Sequence, residues 1–472
     1  MMVTLHTTYE LIDPWLVLVL SLGCAAFATI HALLTKPDPR SAFGWIVVCW
    51  LFPLGGAICY GLFGINRVRA RAQQLLGGKY TPVPPPPRSV RDDSPADHLM
   101  RIGDAVTQWT RMSGNAIEAL ENGENAFPKM LEAIAGAQHT VWLATYIFET
   151  DPVGRQFIQA LAAAVARGVQ VRVLIDGVGE WYSWPHAVHE LRRAGVVAAR
   201  FLPPSLVPLR LSLNMRNHRK LLLVDGCTGF LGGMNIGGRE VGKADVRRMA
   251  DLHFKVRGPV LQQLGSAFQI DWQFAAAENL KVPGAPPSSG ECVCRVITDG
   301  PDDDNDKLLF VMLGAVSMAR EQLLVMTPYF IPPPELTSAL QSAALRGVEV
   351  TLVLPERSNL RYVDWACRRW LAPLVDRGVQ VFLQPPPFAH TKLLVMDGSY
   401  AQIGSANLDP RSLRLNFEIA MEVYDAATCQ WLSRYIIEAR DRSKVLTMAK
   451  LETTNIAAKL RDSLCWLMSP YL

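Results

Sequence analysis

Two segments of the chain repeat the same reactive residues at the same spacing. Asn217-His218-Arg219-Lys220-Leu221-Leu222-Leu223-Val224-Asp225-Gly226 and Ala389-His390-Thr391-Lys392-Leu393-Leu394-Val395-Met396-Asp397-Gly398 each place a Lys two residues and an Asp seven residues after a His. The match continues to an Asn seventeen residues beyond each His: Asn235 in Gly232-Gly233-Met234-Asn235 and Asn407 in Gly404-Ser405-Ala406-Asn407. An imidazole can serve as acid, base or nucleophile, and a neighbouring ammonium can stabilise charge that develops on its target. One His-x-Lys in an apolar stretch is commonplace, but two with the same continuation in one chain predict a catalytic pair.

On a strand, side chains two apart share a face, so His218 with Lys220, and His390 with Lys392, are expected to point toward one ligand. Asp225 and Asp397 complete the motifs but lie an odd number of residues away, which directs them to the Asp-Gly turns or to a distant cation. The imidazoles need carboxylates on their other nitrogens, and Asp251 and Glu418 are the candidates downstream of each motif, with Asn416 beside Glu418. A metal is not expected: the lysines repel a divalent ion, and no second His or Cys stands at ligand spacing. Asp302-Asp303-Asp304-Asn305-Asp306 lacks the Gly and terminal Glu of a calcium loop and reads as an acidic helix start.

These residues must be held by a repeated scaffold. Ala160 to Asp176 reads as a helix, a stop at Gly168 and an apolar strand; the same grammar returns at Ala339 to Glu356 and at Arg377-Gly378-Val379-Gln380-Val381. A strand ending in aromatics precedes each copy, at Val141 to Phe148 and at Leu323 to Phe330. The pattern predicts an α/β protein made of two duplicated α/β-sandwich halves that share one active site, residues 97–281 and 291–472. The Pro-, Gly- and Ser-rich stretch Val282 to Gly290 separates them.

Half of the residues are hydrophobic and 19% are charged, an apolar balance concentrated near the N-terminus. The uncharged runs Pro14 to Leu34 and Ser41 to Asn66 predict a two-helix transmembrane hairpin over residues 1–66. Arg67, Arg69 and Arg71 follow the second run and outweigh the charges of the connecting turn, which predicts a cytoplasmic catalytic part. A Pro-rich linker over 67–96 carries the run Pro84 to Pro87. The nine cysteines are scattered and read as reduced, mostly buried thiols.

The paired motifs, the Gly-Gly and Gly-Ser segments and Asn416-Phe417-Glu418 resemble the phospholipase D superfamily. Together with the N-terminal runs, Asp251-Leu252-His253-Phe254, Thr327-Pro328-Tyr329-Phe330-Ile331-Pro332 and Gly404-Ser405-Ala406-Asn407-Leu408-Asp409-Pro410-Arg411-Ser412 are similar to bacterial cardiolipin synthases. The resemblance implies an inner-membrane, multi-pass phosphatidyltransferase that needs no cofactor. It would join two phosphatidylglycerol molecules into cardiolipin and glycerol through a phosphohistidine, with His218 as nucleophile and His390 as acid and base. Lys220, Lys392, Asn235 and Asn407 would then surround the phosphate oxygens.

Other readings stay open at this level. A phospholipase D that uses water or another alcohol, or draws on phosphatidylethanolamine, would carry the same motifs. A nuclease of the superfamily is disfavoured by a net charge of only +4 and by the apolar N-terminus, so no nucleic-acid partner is expected; a noncatalytic membrane scaffold is disfavoured by the complete motif pair. The apolar loops before each His, Phe201 to Leu209 and Pro385 to Phe388, suit either packing or lipid contact. Glu180 in Gly179-Glu180-Trp181-Tyr182 replaces the small residue that the resemblance implies, beside an aromatic cluster with Trp184.

Overall fold

A computed structural model describes residues 14–36, 38–64, 95–107, 109–206, 209–210, 215–241, 248–300, 306–452 and 455–469. Pro82 and the run Pro84 to Pro87 of the linker, Arg67, Arg69 and Arg71, residues 302–305 and the loop positions Val207 and Pro208 lie outside them. The chain divides into two units, Met1–Gly77 and Gly78–Leu472.

In the N-terminal unit, Pro14–Thr35 forms one uninterrupted helix of 22 residues, roughly 33 Å long at 1.5 Å per residue and enough to cross a bilayer. The second apolar run departs from the expected single helix. Asp38 caps a helix Pro39–Leu51, and the chain breaks at Phe52 before a seven-residue helix Pro53–Cys59. Pro53 has no N–H to offer the preceding turn and pushes Phe52 out of helical geometry. A Cβ on Gly56 would stand 2.6 Å from the Val48 carbonyl oxygen, so the chain turns sharply there. Ala28 and Ala32 let Cys49 and Tyr60 approach the long helix closely, and the Tyr60 hydroxyl lies 2.7 Å from His31 Nδ1.

The second unit is built on a single 15-stranded sheet in which two sets of strands repeat one order. In the first half, Thr140–Thr145, Gln170–Asp176 and Val197–Phe201 run parallel. Leu221–Val224, Thr228–Gly232, Leu252–Arg257 and Met112–Glu121 continue the sheet antiparallel. In the second half, Gln322–Met326, Glu349–Pro355 and Gln380–Gln384 are the parallel set. Leu393–Met396, Tyr400–Gly404, Glu418–Tyr424 and Cys292–Asp299 continue it. The halves meet where Met112–Glu121 pairs with Cys292–Asp299. Each keeps its own core, around Leu143, Phe157 and Val173 in one and Leu323, Leu340 and Leu352 in the other.

The parallel strands are apolar because helices cover them, as Pro152–Ala166 covers the first set and Pro334–Leu345 the second. Gly168 and Gly347 end these two equivalent helices and Gly378 ends the helix Arg361–Asp376, at φ of 90°, 91° and 91°, values that favour glycine.

Candidate active site

The two His-Lys pairs stand just before strands rather than on them: the ladders begin at Leu221 and Leu393. Their backbones instead bond across to the opposite half. His218 N–H donates to the Phe417 carbonyl and Phe417 N–H to Arg216, while His390 N–H donates to Ala250 and Phe388 N–H to Arg248. Both crossings are parallel, Asn217 beside Phe417 and Phe388–Ala389 beside Met249–Ala250. Segments from the two halves are thereby laced together around a common centre, and the short strand buries Phe388 in protein packing.

This lacing exchanges the carboxylates. The sequence reading places Asp251 and Glu418 with the motif upstream of each; the structure pairs them with the other one. His218 Nδ1 lies 3.0 and 3.1 Å from the Glu418 oxygens, and His390 Nδ1 lies 2.7 Å from Asp251 Oδ2. The residue that follows each cross-bonded neighbour, Phe417 or Ala250, faces the histidine of the other half. Where Nδ1–H donates to the carboxylate, Nε2 carries the lone pair; at His390, Lys392 Nζ also stands 3.0 Å from Nδ1.

Lys220 Nζ donates to the His218 carbonyl at 2.7 Å, and Lys392 Nζ to that of His390. Lys392 Nζ also stands 3.7 Å from Asp251 Oδ2. Both lysines feel both carboxylates, so the four groups and two imidazoles form one electrostatic cluster. Burial dominates it. It pushes Lys220 down to about 7 and lowers Lys392. It also holds His218 below the ordinary imidazole range against the pull of Glu418. His390 falls to about 4 through burial and Lys392. Burial pushes Asp251 and Glu418 upward, yet the attraction of the facing imidazole and lysine and the hydrogen bonds each carboxyl accepts outweigh it, and both end below their usual range. Burial thus favours the neutral form of both imidazoles, each facing a carboxylate whose ionised form is favoured.

The surrounding positions are only partly symmetric. Ser405 Oγ donates to Glu418 at 2.5 Å, with Asn416 Nδ2 3.4 Å away. The equivalent of Ser405 is Gly233, where a Cβ would stand 2.3 Å from Asp251 Oδ2. Asn235 and Asn407 are both buried; Asn235 Oδ1 accepts from Ile147 N–H at 3.1 Å, whereas the Asn407 carbonyl oxygen has no partner among the described residues. Asp225 and Asp397 lie outside the cluster. Each carboxylate accepts three successive backbone N–H groups at 2.7–3.0 Å, those of Gln138, His139 and Thr140 and those of Arg320, Glu321 and Gln322. The Asp-Gly pairs have positive φ at both residues, a turn that Asp and Gly tolerate best.

Sequence reasoning missed two elements here. Glu240 is buried, accepts the Asn235 N–H at 3.2 Å with Oε1, and leaves Oε2 unpartnered among the described residues. Burial and then Asp251 raise its carboxyl to about 8, so it is a neutral acid at pH 7. The second is Arg219, which donates from Nε to the Glu418 carbonyl at 2.9 Å and pairs with Asp271 at 2.7 Å; Asp271 also accepts from Asn217 at 2.9 Å. An acid five residues after the motif Asn, and an Arg inside only one motif copy, were the available signals.

The family model described as cardiolipin synthase, phospholipase D-like domain, matches residues 130–272 and 312–440. The model of the phospholipase D-nuclease N-terminal segment matches 24–64. The chain is 30% identical to a cardiolipin synthase of Geobacillus kaustophilus (strain HTA426), over 94% of this chain and 92% of that one. It is 32% identical to cardiolipin synthase A of Pseudomonas fluorescens (strain SBW25), over 94% and 95%. Among solved structures, the phosphatidylserine synthase of Haemophilus influenzae Rd KW20 shares the fold with a TM-score of 0.60 at 16% identity, over 79% of this chain and 100% of that one. Matched on both halves and along nearly its full length, the chain belongs to the family of cardiolipin synthases with a phospholipase D-like domain.

Proposed function

We propose that this phosphatidyltransferase makes cardiolipin from two molecules of phosphatidylglycerol. The observation that carries the reading is the buried cluster in which each half contributes a His-Lys pair and the other half its carboxylate. One neutral imidazole, assigned as His218, attacks phosphorus through Nε2. The phosphorus–oxygen bond to the headgroup glycerol breaks, and the leaving oxygen takes a proton from His390. Beside the anionic phosphodiester the protonated form of His390 is favoured, and the ring takes that proton from solvent as the substrate binds. The terminal hydroxyl of a second phosphatidylglycerol then gives its proton to His390 and attacks, and the phosphorus–nitrogen bond breaks.

Lys220, Lys392, Asn235 and Asn407 are assigned to the nonbridging oxygens. Glu418 and Asp251 stabilise the imidazole cations, and Asp225 and Asp397 act as positioning residues that tie the strand ends. We place the catalytic unit on the cytoplasmic side of the inner membrane. The helix Pro14–Thr35 crosses the bilayer, and Arg67, Arg69 and Arg71 follow the broken second apolar run in the sequence.

The test is incubation of the purified full-length protein with labelled phosphatidylglycerol in vesicles. Cardiolipin and glycerol are expected in equal amounts, and His218→Ala and His390→Ala each abolish both. Phosphatidic acid in place of cardiolipin would assign a hydrolase; absence of any product would refute the proposal.

A further inference from the structure

The loop Gly179–His186 carries a cost that the reaction itself does not explain. Trp181, Tyr182 and Trp184 are 59%, 52% and 84% exposed, although burying such rings is among the strongest stabilising terms available to a fold. The loop is nevertheless firmly built. Glu180 turns inward, accepts the Val188 N–H at 3.1 Å and pairs with Arg200. Thr150 receives the Ser183 hydroxyl at 2.6 Å and donates to the Pro185 carbonyl at 2.8 Å. A Cβ on Gly179 would meet the Tyr146 carbonyl oxygen at 1.8 Å, so the loop presses on the strand end beside the site.

A second surface has the same character. The helix Ile456–Leu467 turns Ile456, Leu460, Leu464 and Leu467 outward, each more than half exposed, at spacings of one face of a helix. Its other face is packed: Asp462 is buried and Arg461 lies over the Trp365 ring at 4.4 Å.

Both surfaces connect to the catalytic histidines through aromatic rings. From His218 the path runs through Tyr146, 5.3 Å away, to Tyr182, 6.3 Å further. From His390 it runs through Phe388 at 5.9 Å to Tyr329 at 6.1 Å, and Tyr329 packs in the same small core as Cys465 of the helix. The loop and the helix are thus each joined through rings to the histidine of their own half.

We propose that the loop Gly179–His186 and the helix Ile456–Leu467 form a docking rim that seats the mouth of the site on the lipid bilayer. The inference rests on phospholipid being the substrate. A phosphodiester at headgroup depth reaches the part-buried His218 and the buried His390 without leaving the bilayer only if the opening lies on the membrane. Trp and Tyr rings favour that depth, and a Leu stripe flanked by exposed Lys459 suits an anionic interface.

The test uses full-length protein and two double variants, W181S/W184S and L460S/L464S. Rates are compared on long-chain phosphatidylglycerol vesicles and on short-chain phosphatidylglycerol dissolved below its micelle concentration. Each variant is expected to lose roughly tenfold on vesicles while keeping its rate on dissolved lipid. Hydrogen exchange provides a readout independent of turnover: peptides 179–186 and 456–468 of the wild type are expected to be protected in phosphatidylglycerol nanodiscs relative to an amphipathic polymer. Unchanged vesicle rates, equal losses on both substrates, or unprotected peptides would overturn the proposal. So would a fall in oligomer mass without loss on vesicles, which would assign the rim to a second copy. If the wild type makes no cardiolipin yet shows the protection, the proposed reaction fails and the docking rim stands.

Discussion

Glu418→Gln tests the exchange of carboxylates between the halves directly. The substitution keeps the size of the side chain and removes its charge. Glu418 is buried, lies 3.0 and 3.1 Å from His218 Nδ1, and takes a 2.5 Å hydrogen bond from Ser405. A charge-assisted hydrogen bond of this kind is worth about 1.5–3 kcal/mol net, and more once the imidazole becomes cationic in a buried setting. A loss of about 3–5 kcal/mol in the transition state lowers kcat by roughly 10²–10⁴. Steady-state cardiolipin formation by the full-length enzyme reads this out. A double-mutant cycle on thermal stability then identifies the partner. Glu418→Gln should couple to His218→Asn by about 1 kcal/mol or more and be additive with His390→Asn within about 0.5 kcal/mol. Coupling to His390 instead, or a kcat within tenfold of wild type, would refute the crossed arrangement.

Three further outcomes follow from the same geometry. The Glu240 carboxyl is raised from 4.5 to about 8 in the folded chain, so its contribution to stability is complete below pH 4.5 and is lost as pH rises through about 8. Wild-type thermal stability should fall at up to about 1.4 kcal/mol per pH unit between about pH 4.5 and 8, and Glu240→Gln should flatten that limb; parallel curves would exclude the neutral acid. Other charges face Glu240 as well, since Asp251, Lys392 and Lys220 act on it; all three are retained in the variant. Gly233→Ala places a Cβ against Asp251 Oδ2 and should lower kcat by roughly 10² by displacing the carboxylate from His390, whereas full activity would show that Asp251 has room to move. Asp397→Ala removes the acceptor of three backbone N–H groups and should cost about 1–3 kcal/mol of stability by thermal unfolding. Its kcat should stay within about threefold if the residue is structural, because no atom of the reaction is touched.

Much of the scaffold was legible because its signals are local. Helix stops at Gly168, Gly347 and Gly378 and apolar strands after them are set by backbone freedom and burial within a few residues, and the duplicated strand order follows. The break at Phe52-Pro53 was equally local: an uncharged run satisfied the hydropathy of a span, and the proline that interrupts the helix was passed over. Glu240 was hidden for the opposite reason. Its neutral state comes from burial beside Asp251, and sequence carries neither burial nor a neighbour eleven residues away.

The sequence by itself determined the reagents. Two His-Lys pairs, two Asp-Gly turns and two Asn at matched spacing are recoverable from residue order, since each depends on positions counted along one strand and its continuation. Tertiary structure alone decided which carboxylate serves which histidine. Hydrogen bonds from His218 to Phe417 and from His390 to Ala250 lace the halves together, and each bond sets the next residue, Glu418 or Asp251, against the other half's imidazole. Those contacts span 200 and 139 residues of chain, and they arise where the two halves of one sheet join. Neither half can complete its own histidine, and that dependence is a property of the folded pair alone.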